Sequence, residues 1–176
     1  MTVWTERLIG RCLARQIFNN KCLVVVPNCN FTGDEIDILG ITRDLRIIDV
    51  EIKISRADLK ADRRKDKWFT HYDWRTDRAA FGRRDRQPVQ WPHRVWKHYF
   101  ALPEKIYMQE LLAELPAASG VLLLRDNYAG IRCLRRAQPC RSADRLSAED
   151  AVNIARLASL RMWDAYKELD AANDRV

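Results

Sequence analysis

Hydrophobic and polar positions change their period several times along the chain, and each change marks an element. Trp4 to Phe18 repeats its apolar residues at helical spacing, and Cys22 to Pro27 is a short apolar run closed by a Pro-Asn turn, so a helix and then a strand open the chain. Asp34 to Ile41 and Leu45 to Ile54 alternate on either side of the polar Thr42-Arg43-Asp44, which predicts a β-hairpin. Ser55 stands where its hydroxyl can accept from the free N–H of Asp58, so a helix begins directly after Lys53 and is expected to run to about Trp68. Asp73 to Arg94 is rich in Arg, Gly and Pro and has no period, as a long insertion would. Strand character returns over Val95–Leu102, helical spacing over Glu104–Leu115, and two short strands, Gly120–Leu124 and Gly130–Leu134, flank an Asp-Asn turn. Ser147-Ala148-Glu149-Asp150 opens a final helix whose apolar residues, among them Ile154, Leu157, Leu160, Trp163 and Leu169, keep helical spacing. The prediction is an α/β fold: a mixed central sheet of about five or six strands flanked by helices.

A chain of 176 residues is the size of one domain, so residues 1–176 are expected to form a single unit with a basic, aromatic insertion at about 69–94. There is no apolar run of about 18 residues, and the first residues lack the apolar stretch of a signal peptide. A cytoplasmic protein with no membrane span is the expectation. Five cysteines at 12, 22, 29, 133 and 140 include no C-x-x-C pair, which favours free core thiols over a metal or iron–sulfur site.

Charge sharpens the picture because it is uneven. The net charge is +7, and between Ser55 and Arg94 twelve Lys/Arg face six Asp/Glu. Aromatics are interleaved there (Trp68, Phe69, Tyr72, Trp74, Phe81, Trp91), a composition that suits a polyanion with stackable bases and equally a solvated, ion-paired surface. A nucleic acid is therefore one candidate partner. Arg56, Lys60, Arg63 and Arg64, with Arg83, Arg84 and Arg86, are candidate phosphate contacts, and Trp74 and Trp91 are candidate stacking residues. Arg132, Arg135 and Arg136 offer a second path. His71, His93 and His98 lack metal spacing and read as phosphate or base contacts.

The hairpin carries the candidate chemistry. Alternation puts Asp49, Glu51 and Lys53 on one face of their strand, and a register with Thr42 across from Arg46 sets Asp37 across from Glu51 and Glu35 across from Lys53. Opposed carboxylates about 4.5–5.5 Å apart repel, so a cation is expected between Asp37 and Glu51, both facing one pocket. Lys53 supplies one charge; a divalent ion with hard oxygen ligands supplies more. The plain alternative is a half-buried hairpin with a polar outer face. Asp58, Asp62 and Asp66 among the lysines likewise suit a solvated helix face.

Gly33-Asp34-Glu35-Ile36-Asp37-Ile38-Leu39-Gly40, followed by Ile48-Asp49-Val50-Glu51-Ile52-Lys53, resembles the core of the PD-(D/E)XK nucleases. The continuation Lys53-Ile54-Ser55-Arg56-Ala57-Asp58, with Asp62, Lys67-Trp68 and Tyr99-Phe100-Ala101-Leu102-Pro103, is similar to a bacterial and phage branch that includes the MmcB-like DNA-repair nucleases. The likeness spans roughly the first two-thirds of the chain, and the proline that names the superfamily is Ile36 here. It implies a restriction-endonuclease-like core in α-β-β-β-α-β order, DNA as the partner, and a deoxyribonuclease of repair, recombination or phage DNA processing. By it, Asp37, Glu51 and the Ile52 carbonyl would hold magnesium, or manganese in its place, and Lys53 would orient the attacking water. Glu6, which a helical wheel places in the buried arc, would be the acid that such families supply from the first helix, although the helix dipole alone also favours an acid in a first turn. An inactive nucleic-acid-binding protein of the same fold and an RNA-directed nuclease are the alternatives, and a homodimer is left open.

Overall fold

The computed structural model describes residues 3–69, 87–126 and 130–173. The elements run α1 (Glu6–Leu13), β1 (Cys22–Cys29), β2 (Ile36–Thr42), β3 (Ile47–Ile52), α2 (Arg56–Asp62), β4 (Val95–Pro103), α3 (Leu111–Glu114), β5 (Gly120–Leu124), β6 (Ile131–Arg135) and α4 (Ala148–Asn173). The six strands form one sheet in chain order, with β3–β4 and β4–β5 parallel and the other pairs antiparallel. This is the mixed, helix-flanked sheet that the pattern predicts. Parallel pairing needs crossovers, and α2 with the segment after it, then α3, fall in the two connections between parallel neighbours.

Several boundaries differ from the pattern. α1 continues through a π-helical turn, Ala14–Phe18, so the helical stretch ends where the periodicity does. β2 starts at Ile36 and not at Asp34, leaving Glu35 exposed and off the ladder, with no place across from Lys53. α2 stops at Asp62, short of Trp68, and a 3-10 turn covers Asp66–Trp68; the break turns Lys65, Lys67 and Trp68 inward. Glu104–Leu115 holds a 3-10 turn, Glu104–Ile106, and the four-residue α3 where one helix was expected.

The hairpin register is the predicted one. Leu45 takes a left-handed conformation (φ 59°) in the turn, Thr42 N–H donates to the Arg46 carbonyl, and Ile38 then lies across from Val50 and Leu39 across from Asp49. Every residue of β3 is buried, so a hairpin with a polar outer face is ruled out. Ile48, Val50 and Ile52 pack with Ile38 beneath Trp4, Ile9, Leu13 and Phe18. Gly10 lets α1 approach: a Cβ there would lie 3.0 Å from Ile38 Cδ1. On the opposite side Leu59, Trp68, Phe100, Leu102 and Leu123 form a second core. α4 covers β1 with Ile154, Leu157 and Ala158, whereas Leu160, Trp163, Tyr166 and Leu169 stay exposed. No helix among the described residues is long and apolar enough to cross a membrane.

Candidate functional site

Asp37 and Glu51 sit on adjacent antiparallel strands, but their carboxylates meet different surroundings. Asp37 is half-buried, and its Oδ2 accepts the Ile52 N–H at 2.7 Å. It opens on a cleft of about 570 Å3 between α1 and α4, lined also by Glu6, Ile52, Arg7, Arg11 and Arg161. Glu51 has no exposed surface. Its Oε2 accepts from Lys53 at 2.9 Å and Lys65 at 3.1 Å, and its Oε1 lies 2.7 Å from Lys67 Nζ, out of hydrogen-bond alignment. The shared pocket expected for the two acids is thus a cleft for Asp37 and a closed lysine cage for Glu51.

Asp62 is the second anchor of that cage. It too is fully buried, with Oδ1 2.9 Å from Lys53 and 3.1 Å from Lys65, while Oδ2 accepts from Trp68 Nε1 at 2.9 Å. A solvated α2 face, one of the two readings of these charges, is therefore wrong for Asp62 and Lys67, and Trp68 is a core residue with no base-stacking surface. Asp49, 1% exposed, has no hydrogen-bond partner on either oxygen; His98 Nε2 is 3.8 Å away. His98 is enclosed as well, with Nδ1 2.9 Å from Ser119 Oγ and edge contacts to Trp68 and Phe100, so it cannot touch a phosphate as its neighbours in sequence suggest.

Burial and charge sort these groups. Burial would raise Glu51 and Asp62, but Lys67 and Lys53 outweigh it and hold both below the usual carboxylate range. Burial would lower Lys53 and Lys65, and Glu51 and Asp62 outweigh that too, so both amines are raised. For Asp49 the counterweight is too small: burial, opposed by Lys67 and helped by the neighbouring acids, pushes it up to about 8. Asp37 is raised to about 6 by burial and then by Glu51, with the Ile52 N–H opposing. Burial and the Lys67 charge keep His98 neutral, its pKa well below the ordinary value.

Among the described residues no group of three or more His, Cys, Asp or Glu is placed to hold a metal ion. The candidate set has two such side chains and the Ile52 carbonyl, hard oxygen donors that suit magnesium in kind. Fitting an ion to Glu51 requires one ammonium to leave it, since charge in the cage is already met by Lys53, Lys65 and Lys67. That overturns the argument that opposed acids here need a divalent cation for balance.

The other expected residues fare unevenly. Glu6 is exposed in the first turn of α1, not in the buried arc, but it does line the cleft with Asp37. Lys60, Arg63 and Arg64 are exposed, and Arg56 donates to the Ile106 carbonyl at 2.9 Å. Trp91 is half-buried and gives its Nε1–H to the Gln138 carbonyl at 2.9 Å, a structural use of the ring. Arg135 is spent on the carbonyls of Ser119, Pro116 and Leu112, and Arg132 pairs with Glu104 at 2.8 Å. Trp74, Arg83, Arg84, Arg86 and His71 lie outside the described residues. Sequence reasoning missed Lys65, Lys67 and the partnership of Asp62 with Lys53. The available signal was Asp62-x-x-Lys65-x-Lys67-Trp68, where an acid and a lysine three apart sit at the end of a short helix.

No protein-family model and no curated protein matches the chain. Among solved structures it is similar to the SPO1766 protein of unknown function from Silicibacter pomeroyi, at 21% identity and a TM-score of 0.55, over 99% of this chain and 95% of that one. The likeness at that identity is one of fold alone.

Proposed function

We propose that the chain is a metal-dependent nuclease with a restriction-endonuclease-like core, acting on DNA in repair, recombination or phage DNA processing. The observation that carries the reading is the hairpin register together with the Asp37 Oδ2 contact to the Ile52 N–H: Asp37 and Glu51 come from adjacent strands of one hairpin, and Asp37 touches the backbone next to Glu51 although the two carboxylates open on different surroundings. The element order α1-β1-β2-β3-α2-β4 supports it as well. Asp37, Glu51 and the Ile52 carbonyl would hold magnesium, or manganese. Bound there, the ion would lower the pKa of a water and offset charge on the scissile phosphate. Lys53, held at 2.9 Å by both Glu51 and Asp62, keeps a fixed positive charge beside the reacting centre. Glu6 borders the same cleft, whose lining sets Arg7, Arg11 and Arg161 beside Asp164 and Glu168, with Glu168 paired to Arg7 at 3.5 Å, so that Arg11 and Arg161 are the charges left for a phosphodiester backbone.

The test is cleavage of single- and double-stranded DNA, and of RNA in parallel, with Mg2+ or Mn2+. Asp37→Ala should abolish it while DNA affinity holds or rises, because it removes a negative charge; Glu51→Ala should do the same, with Glu51→Gln and circular dichroism separating lost chemistry from lost fold, since Glu51 is the buried partner of three lysines. RNA cut in preference to DNA would transfer the reading to an RNA-directed nuclease. One observation favours a second reading, an inactive nucleic-acid-binding protein of this fold: Glu51 is closed off and neutralised by three lysines. Binding to DNA without cleavage under either metal would establish it.

A further inference from the structure

α4 carries an apolar stripe that its own domain leaves uncovered. Ile154, Leu157 and Ala158 seat the helix on β1, and farther along the same side Arg161 donates to the Asn28 carbonyl and Glu168 pairs with Arg7, both at 3.5 Å. Trp163 follows Ile154 by nine residues, a rotation of about 180° for an α-helix, so its ring stands on the side away from the sheet. It is 62% exposed, and Leu160 and Tyr166, three residues before and three after it, are 46% and 50% exposed. The Trp163 and Tyr166 rings meet edge to face with their centroids 5.9 Å apart, which orders the stripe before anything binds it. Trp and Tyr are the side chains that most often anchor a protein interface.

Charges on the same face say what covers it. Arg156 and Asp170 stand seven residues before and seven after Trp163, both exposed, and a seven-residue step brings an α-helix back to within about 20° of the same line. We propose that α4 pairs antiparallel with α4 of a second copy of this chain, with the two-fold axis at Trp163. The two Trp163 rings then meet at the axis, Leu160 of one copy lies across from Tyr166 of the other, and Arg156 lies across from Asp170 once at each end. A parallel pair would set Arg156 against Arg156 and Asp170 against Asp170 and would align the helix dipoles, so charge selects the antiparallel arrangement. A single helix stripe falls short of the roughly 1,200 Å2 of a standard interface, so the dimer is a weak one, forming at micromolar concentration. Arg156, Leu160, Trp163, Tyr166 and Asp170 do not line the Asp37 cleft, and the inference stands apart from the nuclease reading.

Sedimentation velocity on the full chain, over about 1–200 µM, reads the dimer dissociation constant, and wild type should pass from monomer to dimer in that range. Trp163→Ala should weaken the dimer at least about tenfold. Arg156→Glu and Asp170→Lys, both to helix-forming residues, should each weaken it at least about fivefold, and the two combined should return it to within about threefold of wild type, because the exchange restores both end pairs. Lys60→Glu, on the exposed face of α2, should leave it within about twofold. All four positions are exposed, so the variants should fold, and circular dichroism checks that they do. A wild type that stays monomeric throughout would overturn the proposal and leave the stripe to a different partner. A dimer unmoved by Trp163→Ala would place the contact elsewhere on the chain and overturn it as well. A double variant no tighter than the two single ones would overturn the antiparallel pairing.

Discussion

Asp62→Ala removes a carboxylate with no exposed surface that meets Lys53 at 2.9 Å, Lys65 at 3.1 Å and the Trp68 indole at 2.9 Å. Lys53 would keep only Glu51 as a close partner, with Lys65 and Lys67 on the same carboxylate. Breaking a buried pair by deleting one partner costs about 3–5 kcal/mol, because a buried charge is left behind. For a domain of this size each kcal/mol moves the thermal midpoint by about 2–4 °C, so a fall of about 6–20 °C is expected. Asp62→Asn can still accept from the indole but lacks the charge, and should fall between wild type and Asp62→Ala. Asp58→Ala is the control: its carboxylate is 39% exposed and 3.8 Å from Lys53, so its loss should be within about 1 kcal/mol. Urea and thermal unfolding followed by circular dichroism measure all three. Since the folded-state pKa of Asp62 is depressed, its contribution is present above the unfolded value of about 3.9 and is lost as pH falls below it. The wild type and Asp62→Ala should therefore converge in acid. A loss below about 1 kcal/mol at neutral pH would refute the buried cage.

Asp49 should show the opposite sign. Its carboxyl is raised to about 8, so the native state binds the extra proton and stability drops as pH rises from about 4 to 8; Asp49→Asn should flatten that slope, and equal slopes in urea titrations would count against it. Trp91→Ala should lower stability by about 1–3 kcal/mol through the lost packing and Gln138 contact, yet leave single-stranded DNA affinity within about twofold. An affinity loss of about 1–3 kcal/mol instead would return Trp91 to a stacking role.

The hairpin was legible because its signals are local. Alternation and a short polar turn dictate which residues face each other, and Thr42 and Leu45 in the turn deliver that register. The helix start after Lys53 was legible for the same reason, since Asp58 N–H does donate to Ser55 Oγ at 3.1 Å. The lysine cage was not, because it is made by tertiary contacts: Lys65 and Lys67 reach Glu51 only because α2 ends early, and a run such as Asp62-Arg63-Arg64-Lys65-Asp66-Lys67 has the composition of a solvated face. His98 failed likewise. Its neighbours are basic in sequence, but its place on β4, parallel to β3 and directly beside Asp49, puts it between Trp68 and Phe100 in the core.

Charge in the cage also bears on the proposed metal. Lys53, Lys65 and Lys67 lie against Glu51 and Asp62, both held below the usual carboxylate range, and Asp58 stands 3.8 Å from Lys53. A divalent ion brought to Glu51 meets two buried ammonium groups, Lys53 at 2.9 Å and Lys67 at 2.7 Å, so it is opposed unless a negative charge arrives with it. On the nuclease reading that charge is a phosphodiester. Metal affinity measured with DNA present should therefore exceed that measured alone, and by reciprocity metal should tighten DNA binding by the same factor. Equal metal affinities with and without DNA would count against the link.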